Sequence, residues 1–94
     1  MSYRVVWSRR ATKELLAIPK KQRVMIAEWV QKNLDGAKNP KSIPGAKALQ
    51  GTAAGWRYRV GSYRVLVSIR DDELIIEVVR VGHRQGVYSK LPKL

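Results

Sequence analysis

Apolar residues follow two different spacings along the chain, and these predict helices first and strands afterwards. Residues 3–7 are a short, apolar and β-branched run that is typical of a strand. The next stretch has apolar side chains three and four positions apart, and Pro19 divides it into helices over residues 9–18 and 20–34. Ser8 is suited to cap the first of them.

From Gly55 onward, apolar and polar residues alternate, as in strands that bury one face. This period predicts strands over residues 56–60, 63–70 and 73–81. Gly61-Ser62 is a two-residue hairpin loop, in which the glycine supplies the unusual backbone angle.

Together these elements predict one α+β domain over residues 1–94. Residues 36–50 contain Asn39-Pro40 and Pro44-Gly45, and they are predicted to form a loop. The order is therefore a strand, two helices, three strands and a short C-terminal segment. We expect an antiparallel sheet with the two N-terminal helices packed on one face.

The hairpin loop determines which residues of its two strands lie opposite each other. Arg59 pairs with Arg64, about 5 Å apart at Cβ, and Arg57 lies two residues along on the same face. At an effective dielectric constant of about 20, charges at this distance repel by about 3 kcal/mol. Charged residues also protect edge strands from aggregation, but three arginines on one face favour a phosphate-binding site. The opposite face, expected to be the core, carries Trp56, Tyr58, Val60, Tyr63, Val65 and Val67.

Charge and composition narrow the class of partner. The net charge of +12, from 19 basic and 7 acidic residues, favours a polyanion: nucleic acid, an anionic membrane face or an acidic protein. No acidic residue occurs between Asp35 and Asp71, a stretch with seven lysines and arginines. The absence of cysteine and the single histidine exclude a disulfide framework and a thiolate or His-rich metal site, so no cofactor is expected. No apolar run approaches the about 18 residues that cross a bilayer, and the N-terminus lacks a signal-peptide pattern, which predicts a cytoplasmic protein.

Two side chains near the C-terminus are candidates for RNA chemistry, although each also has a structural interpretation. His83 ordinarily ionises near neutral pH, but a lone histidine is usually structural or simply exposed. Tyr88 either covers the core or provides a ring on which a base stacks.

Three short motifs, in this order, resemble the RelE branch of the RelE/ParE toxins. They are Leu49-Gln50-Gly51, the hairpin Trp56 to Arg64, and Val81-Gly82-His83-Arg84 followed by Val87-Tyr88. The resemblance implies a RelE-like fold and a metal-independent endoribonuclease of a type II toxin–antitoxin system. In that reaction the ribose 2′-OH attacks the adjacent phosphate, leaving a 2′,3′-cyclic phosphate and a 5′-OH.

The resemblance also implies roles for individual residues. Arg57 and Arg59 fall where the family has basic residues that contact the phosphate, and Arg64 where an arginine stabilises the transition state. Arg84 matches an arginine that assists the leaving 5′-oxygen, and Tyr88 a tyrosine that orients the base.

The proton acceptor of this reaction is open at the level of sequence. Well-studied members have lysines at the positions of Arg57 and Arg59, and arginine stays protonated, which makes it a poor base. His83 is a candidate, and the ribosome or the RNA itself is the alternative. Further RNA contacts are expected from Lys13, Lys38, Lys41, Lys47 and Lys90.

The expected partners are an acidic antitoxin, which folds on the basic surface as it binds, and mRNA in the A site of a 70S ribosome. Two other functions are compatible with the same pattern. One is a ParE-like inhibitor of gyrase, which shares the fold, and the other is a non-catalytic RNA-binding module.

Overall fold

A computed structural model describes residues 1–83, 85–89, 91 and 94 of the chain. Two helices lie on one face of a five-stranded sheet, whose strand order is β1-β5-β4-β3-β2. The helices are α1 (Arg9–Leu16) and α2 (Lys20–Asn33). The strands are β1 (Arg4–Trp7), β2 (Lys47–Ala48), β3 (Gly55–Val60), β4 (Tyr63–Arg70) and β5 (Ile75–Gly82), with 3-10 turns at Pro40–Ser42 and Gln85–Tyr88. None of the helices in this part of the chain has the length and apolarity needed to cross a bilayer.

The predicted α+β architecture is confirmed, but the sheet differs from the expected one in two respects. β1 pairs with β5 in parallel, so the sheet is mixed rather than wholly antiparallel. The chain between β1 and β5 is long enough for the crossover that a parallel pair requires. In addition, β2 forms an edge strand within the predicted loop, where Lys47 pairs with Arg57. Two residues are too few to show a period, which is why the sequence did not reveal this strand.

The local signals at the helix ends behave as their chemistry predicts. The Oγ atom of Ser8 accepts a hydrogen bond from the backbone N–H of Ala11 at 3.0 Å, so Ser8 caps α1. α1 ends at Leu16, two residues earlier than predicted, and α2 begins directly after Pro19. Because the two helices are joined by so short a turn, both remain close to the same face of the sheet.

The main core lies between the helices and the predicted apolar face of the hairpin, as expected. Its buried residues are Ala11, Ile26, Val30, Leu34, Tyr58, Val60, Val65, Val67, Ile69, Ile76, Val78 and Val81, and Trp56 and Tyr63 pack against them. The hydroxyl of Tyr58 donates to the carbonyl oxygen of Pro40 at 2.6 Å, which holds the 3-10 turn on the core. Burial raises the pKa of Tyr58, because the ionised phenolate is poorly solvated there.

The other face of the sheet carries a second apolar cluster that the sequence pattern did not predict. A β-bulge makes Val79 an extra residue of β5, since Leu66 pairs with Arg80 while Val67 pairs with Val78. Leu66, Val79 and Val87 are buried together, and they are surrounded by Leu49, Tyr88, Leu91 and Leu94. The C-terminal segment therefore folds back across the face that bears the arginines.

Gly82 permits this return of the chain. A Cβ atom built at Gly82 would lie 2.3 Å from Cγ1 of Val87, closer than side-chain atoms ever approach. Only glycine leaves room for Val87 to enter the second cluster and for the turn before Tyr88 to pack on β5.

We predict that Gly82→Ala lowers the free energy of unfolding by about 1–3 kcal/mol, because Val87 must leave its position. Gly86→Ala is the matched control, since a Cβ at Gly86 meets no atom within 4 Å. Chemical unfolding of both variants measures the difference. Equal stabilities would contradict this account of Gly82.

A surface cluster joins three distant parts of the chain. The carboxylate of Asp71, in the turn after β4, accepts from the Tyr3 hydroxyl at 2.6 Å and from Lys41 Nζ at 2.6 Å. The bonds from Lys41 and Tyr3 lower the pKa of Asp71, and the bond to Asp71 raises the pKa of Tyr3. The start of β1, the first 3-10 turn and the β4–β5 turn are therefore linked by one carboxylate.

This cluster predicts a pH dependence of stability. Because the pKa of Asp71 is lower in the folded protein than the ordinary value of about 3.9, its contribution is complete above that value and is lost as the pH falls through the folded pKa. We expect wild type to be more stable than Asp71→Asn at pH 6, with the difference shrinking as the pH falls below about 4 and vanishing only below the folded pKa of Asp71. Unfolding at several pH values tests this, with Asp72→Asn as the control. A difference that is constant with pH would refute it.

Candidate functional site

The hairpin of β3 and β4 places the arginines as predicted. Gly61 has a φ of +61° at the first position of the two-residue loop, which is the requirement of a type II′ turn. Arg59 lies directly opposite Arg64, and Arg57 lies opposite Leu66. The side chain of Arg57 is half-buried and that of Arg59 is exposed.

Arg57 opens into a cleft of about 500 Å³ on the face that bears the second cluster. The cleft is lined by Lys47, Ala48, Leu49, Gln50, Thr52, Arg57, Tyr88 and Leu91, and none of these residues is acidic. The Nε atom of Arg57 is buried and has no hydrogen-bond partner among the described residues. Burying this donor without a partner is unfavourable, and the described residues do not compensate it.

Tyr88 forms one wall of the cleft and is held by Arg64. The guanidinium carbon of Arg64 lies 5.9 Å from the centre of the Tyr88 ring, within the range of a cation–π contact. Arg64 also donates from NH1 to the carbonyl oxygen of His83 at 3.1 Å. The structure thus brings Arg57, Arg64 and Tyr88 together on one face, with Arg59 beside Arg64.

His83 is not part of this group. Its imidazole packs against the ring of Tyr63, with 5.2 Å between the ring centres, and Tyr63 packs against the main core on the helix side of the sheet. Only the backbone carbonyl of His83 faces Arg64. The predicted role of His83 as proton acceptor therefore gains no support from its position.

The acidic residues lie elsewhere. Arg70 pairs with Glu73 and Glu77 at the far end of β4, and Arg80 pairs with Glu14 of α1 at 2.8 Å. Within the described part of the chain, no ion pair neutralises Arg57, Arg59 or Arg64. Opposed positive charges that no carboxylate neutralises create a field that attracts anions.

The predicted RNA-binding lysines are spread over several surfaces. Lys47 lines the cleft and lies opposite Arg57 across β2 and β3. Lys41 forms the ion pair with Asp71, so its charge is already engaged. Lys13 is exposed in the last turn of α1, and Lys38 is exposed after α2. Two predicted residues, Arg84 and Lys90, lie outside the described residues.

The sequence did not identify the polar residues that complete the cleft. Gln50 lines it, and the hydroxyl of Thr52 donates to the carbonyl oxygen of Leu49 at 2.8 Å and accepts from the N–H of Gly55 at 3.1 Å. The motif Leu49-Gln50-Gly51 was the available signal, but only the fold shows that it forms a wall. Among residues 1–83, 85–89, 91 and 94, no three His, Asp or Glu side chains come together as a metal site would require.

A family model described as the ParE toxin of the type II toxin–antitoxin system parDE matches residues 5–88. The chain belongs to this toxin family. Its solved structural neighbours are RelE toxins, which confirms the resemblance to a RelE-like member of the RelE/ParE superfamily. No match is found among curated protein sequences.

The neighbours differ in sequence but share the fold over nearly their whole length. The toxin is 25% identical to a chain of the RelBE2 toxin–antitoxin complex of Mycobacterium tuberculosis, with a TM-score of 0.75 over 89% of this chain and 100% of that one. A mutant Escherichia coli toxin RelE in the free state is 22% identical, with a TM-score of 0.76 over 97% of this chain and 95% of that one. A chain of the archaeal RelE–RelB complex of Pyrococcus horikoshii is 22% identical, with a TM-score of 0.68 over 90% of this chain and 98% of that one.

We predict that Arg59→Gln stabilises this toxin by about 0.2–1 kcal/mol, because it removes the like charge opposite Arg64. The gain should shrink above about 1 M salt, where charges are screened within about 3 Å. Lys38→Gln, at an exposed position after α2, is the control for an equal loss of charge. A lower stability of Arg59→Gln at low salt would show that the pair does not repel.

Proposed function

We propose that this toxin is an mRNA endonuclease that acts without a metal ion in the A site of a 70S ribosome. One observation carries the proposal: Arg57, with a buried and unpartnered Nε atom, opens into an acid-free cleft walled by Tyr88. The cleft combines an anion-binding group with an aromatic ring, and RNA offers both a phosphate and a base to such a pair.

The arginines are suited to hold the phosphate and to neutralise charge. A guanidinium presents five N–H donors in a rigid fork that matches phosphate oxygens, and it remains charged throughout. Arg57 reaches the cleft from β3, and Arg59 and Arg64 stand as a pair beside it. Fixed positive charge of this kind stabilises the additional negative charge of a transition state more than that of the bound substrate.

The proposed reaction is an attack of the ribose 2′-oxygen on the adjacent phosphorus. A bond forms between the 2′-oxygen and phosphorus while the bond from phosphorus to the 5′-oxygen breaks, leaving a 2′,3′-cyclic phosphate and a 5′-OH. The leaving 5′-oxygen takes up a proton from water, and Arg84 is assigned from the family resemblance to assist its departure by neutralising its negative charge. The 2′-OH proton passes to an acceptor outside this chain, on the ribosome or the RNA.

The ring of Tyr88 is assigned to the base next to the cleaved bond. Stacking on an aromatic ring contributes about 1–3 kcal/mol per base. Lys47 at the rim of the cleft adds a contact to the RNA backbone. Lys13 and Lys38 are assigned to more distant contacts, which raise affinity without selecting a sequence. Lys90 is assigned an RNA contact from the sequence alone.

As a type II toxin, the chain has an antitoxin as its partner. We propose that both proteins are cytoplasmic, and that the antitoxin is acidic and binds the positively charged face of the toxin. With a net charge of +12, the toxin attracts an acidic chain strongly, and neutralising the arginines removes their hold on RNA. Structures of RelE toxins from three organisms contain RelB antitoxins.

A second candidate function is inhibition of gyrase, which the match to the ParE toxin model favours. The two functions stop different processes first. Pulse labelling of protein and of DNA after brief induction separates them, since a ribonuclease arrests translation before replication and a gyrase inhibitor does the reverse.

Mapping transcript 5′ ends after brief induction tests the proposal directly. We expect new 5′-OH ends within coding regions for wild type and their loss in Arg64→Ala, with growth arrest relieved. Arg70→Ala is the matched control, since Arg70 lies on the same strand but is paired with Glu73 and Glu77. Salt-sensitive RNA binding without new ends would instead identify a non-catalytic binding module.

We predict that His83→Gln cleaves RNA in a single turnover at a rate within about twofold of wild type, a change below about 0.5 kcal/mol. The reason is that the imidazole lies against Tyr63 and away from Arg64. Quench-flow measurement of ribosome-bound mRNA checks this. A fall of about 100-fold, typical of losing a general base, would restore His83 as the proton acceptor.

A further inference from the structure

Among the described arginines of the cleft face, Arg80 is the one that is buried. It lies on β5 opposite Leu66, in the same row across the sheet as Arg57, and only 7% of it is exposed. Burying a charge is unfavourable unless it is paired and hydrogen-bonded. The hydrogen-bond partners of Arg80 therefore indicate the structural role of its charge.

Those contacts join three parts of the fold. Nε of Arg80 donates to Oε2 of Glu14 at 2.8 Å, and NH1 donates to the carbonyl oxygen of Ser89 at 2.6 Å. The other oxygen of Glu14 accepts the backbone N–H of Val81 at 3.0 Å. Glu14 thus fixes the guanidinium from α1, and the guanidinium in turn holds the residue that follows Tyr88.

The segment around Tyr88 is short and has few other attachments. Val87 is buried in the second cluster, and the Ser89 N–H and hydroxyl both donate to the carbonyl oxygen of Gly86. These two bonds close the turn on itself but do not tie it to the sheet. Among the described residues, the hydrogen bond from Arg80 to Ser89 is the polar contact that links this turn to β5.

We propose that Arg80 and Glu14 are positioning residues, which set the Tyr88 ring at the wall of the cleft so that it receives the RNA base. The inference rests on the proposed ribonuclease function. Arg80 does not contact the substrate, because its charge is neutralised by Glu14 and its donors face α1 and Ser89. Arg64 contacts the ring of Tyr88, and Arg80 holds the carbonyl oxygen of the next residue, Ser89.

Glu14→Gln tests this with the least change in shape. The amide retains an acceptor for the Val81 N–H but removes the charge that holds Arg80. We expect single-turnover cleavage of ribosome-bound mRNA to fall by about 10-fold to 100-fold, as for a group misplaced by about 1 Å. Arg80→Lys should lower it in the same direction, because one ammonium group cannot reproduce the fork that joins Glu14 to Ser89.

A double-mutant comparison separates positioning from a general loss of structure. In a Tyr88→Leu background, which keeps an apolar side chain in the second cluster, Glu14→Gln should cause no further fall. If Glu14→Gln lowers the cleavage rate by the same factor in both backgrounds, the proposal is overturned. An unchanged cleavage rate in the wild-type background would also overturn it. Glu77→Gln, which breaks the other carboxylate–arginine pair of β5, is the control and should leave cleavage unchanged.

A second measurement keeps the two proposals distinguishable. If wild type cleaves no RNA, the ribonuclease function fails, and hydrogen exchange of the Ser89 amide then decides the structural claim. Faster exchange in Glu14→Gln than in Glu77→Gln supports a turn held by Arg80. Equal exchange in the two variants overturns it.

Discussion

The cleft depends on where the chain places its few carboxylates. Seven acidic residues face nineteen basic ones, so most cations have no partner of opposite charge. Glu14, Asp71, Glu73 and Glu77 pair with Arg80, Lys41 and Arg70, all of them away from the cleft. Asp35 is also engaged, because it accepts the N–H of Val5 at the outer edge of β1. Within the described residues, no carboxylate is left to pair with Arg57, Arg59 or Arg64, which the hairpin gathers on one face.

This distribution has a structural cost that the rest of the fold offsets. Arg59 and Arg64 oppose each other across two strands, and Arg57 lies next to them. The hairpin holds them there because its other face is buried in the main core through Tyr58, Val60 and Val65. A slip of one residue, which would separate the charges, would also expose that apolar face. Hydrophobic burial on one side therefore maintains electrostatic repulsion on the other.

Local pattern predicted the parts of the fold that depend on neighbouring residues. The capping of α1 by Ser8, the turn at Gly61 and the pairing of Arg59 with Arg64 all follow from short-range chemistry, and the structure has each of them. Contacts between distant segments were not accessible in this way. The parallel pairing of β1 with β5 and the edge strand β2 depend on where the chain returns, which periodicity does not encode.

The same distinction applies to the site. The register of the hairpin predicted the arginines of the site, and a family motif predicted Tyr88. The ion-pair partner of each charged residue, by contrast, is set by tertiary structure. Lys41 meets Asp71 thirty residues away in sequence, and Arg80 meets Glu14 at a separation of sixty-six. Nothing in the order of residues distinguishes Arg80 from the arginines of the cleft. The cleft likewise depends on tertiary structure, because Tyr88 and Leu91 of the C-terminal segment line it together with Leu49 and Gln50.

The bulge at Val79 limits how β5 can change its length. With strict alternation from Ile76 and Val78, the next residue facing the helices would be Arg80, and its charge would enter the main core. The inserted residue turns Val81 inward instead, and Arg80 outward toward Glu14. Deleting Val79 would therefore restore regular alternation with Arg80 still facing outward, and it would remove only a buried side chain of the second cluster. A regular β5 that kept Val79 would instead need an apolar residue in place of Arg80, so the inserted residue and the outward charge depend on each other.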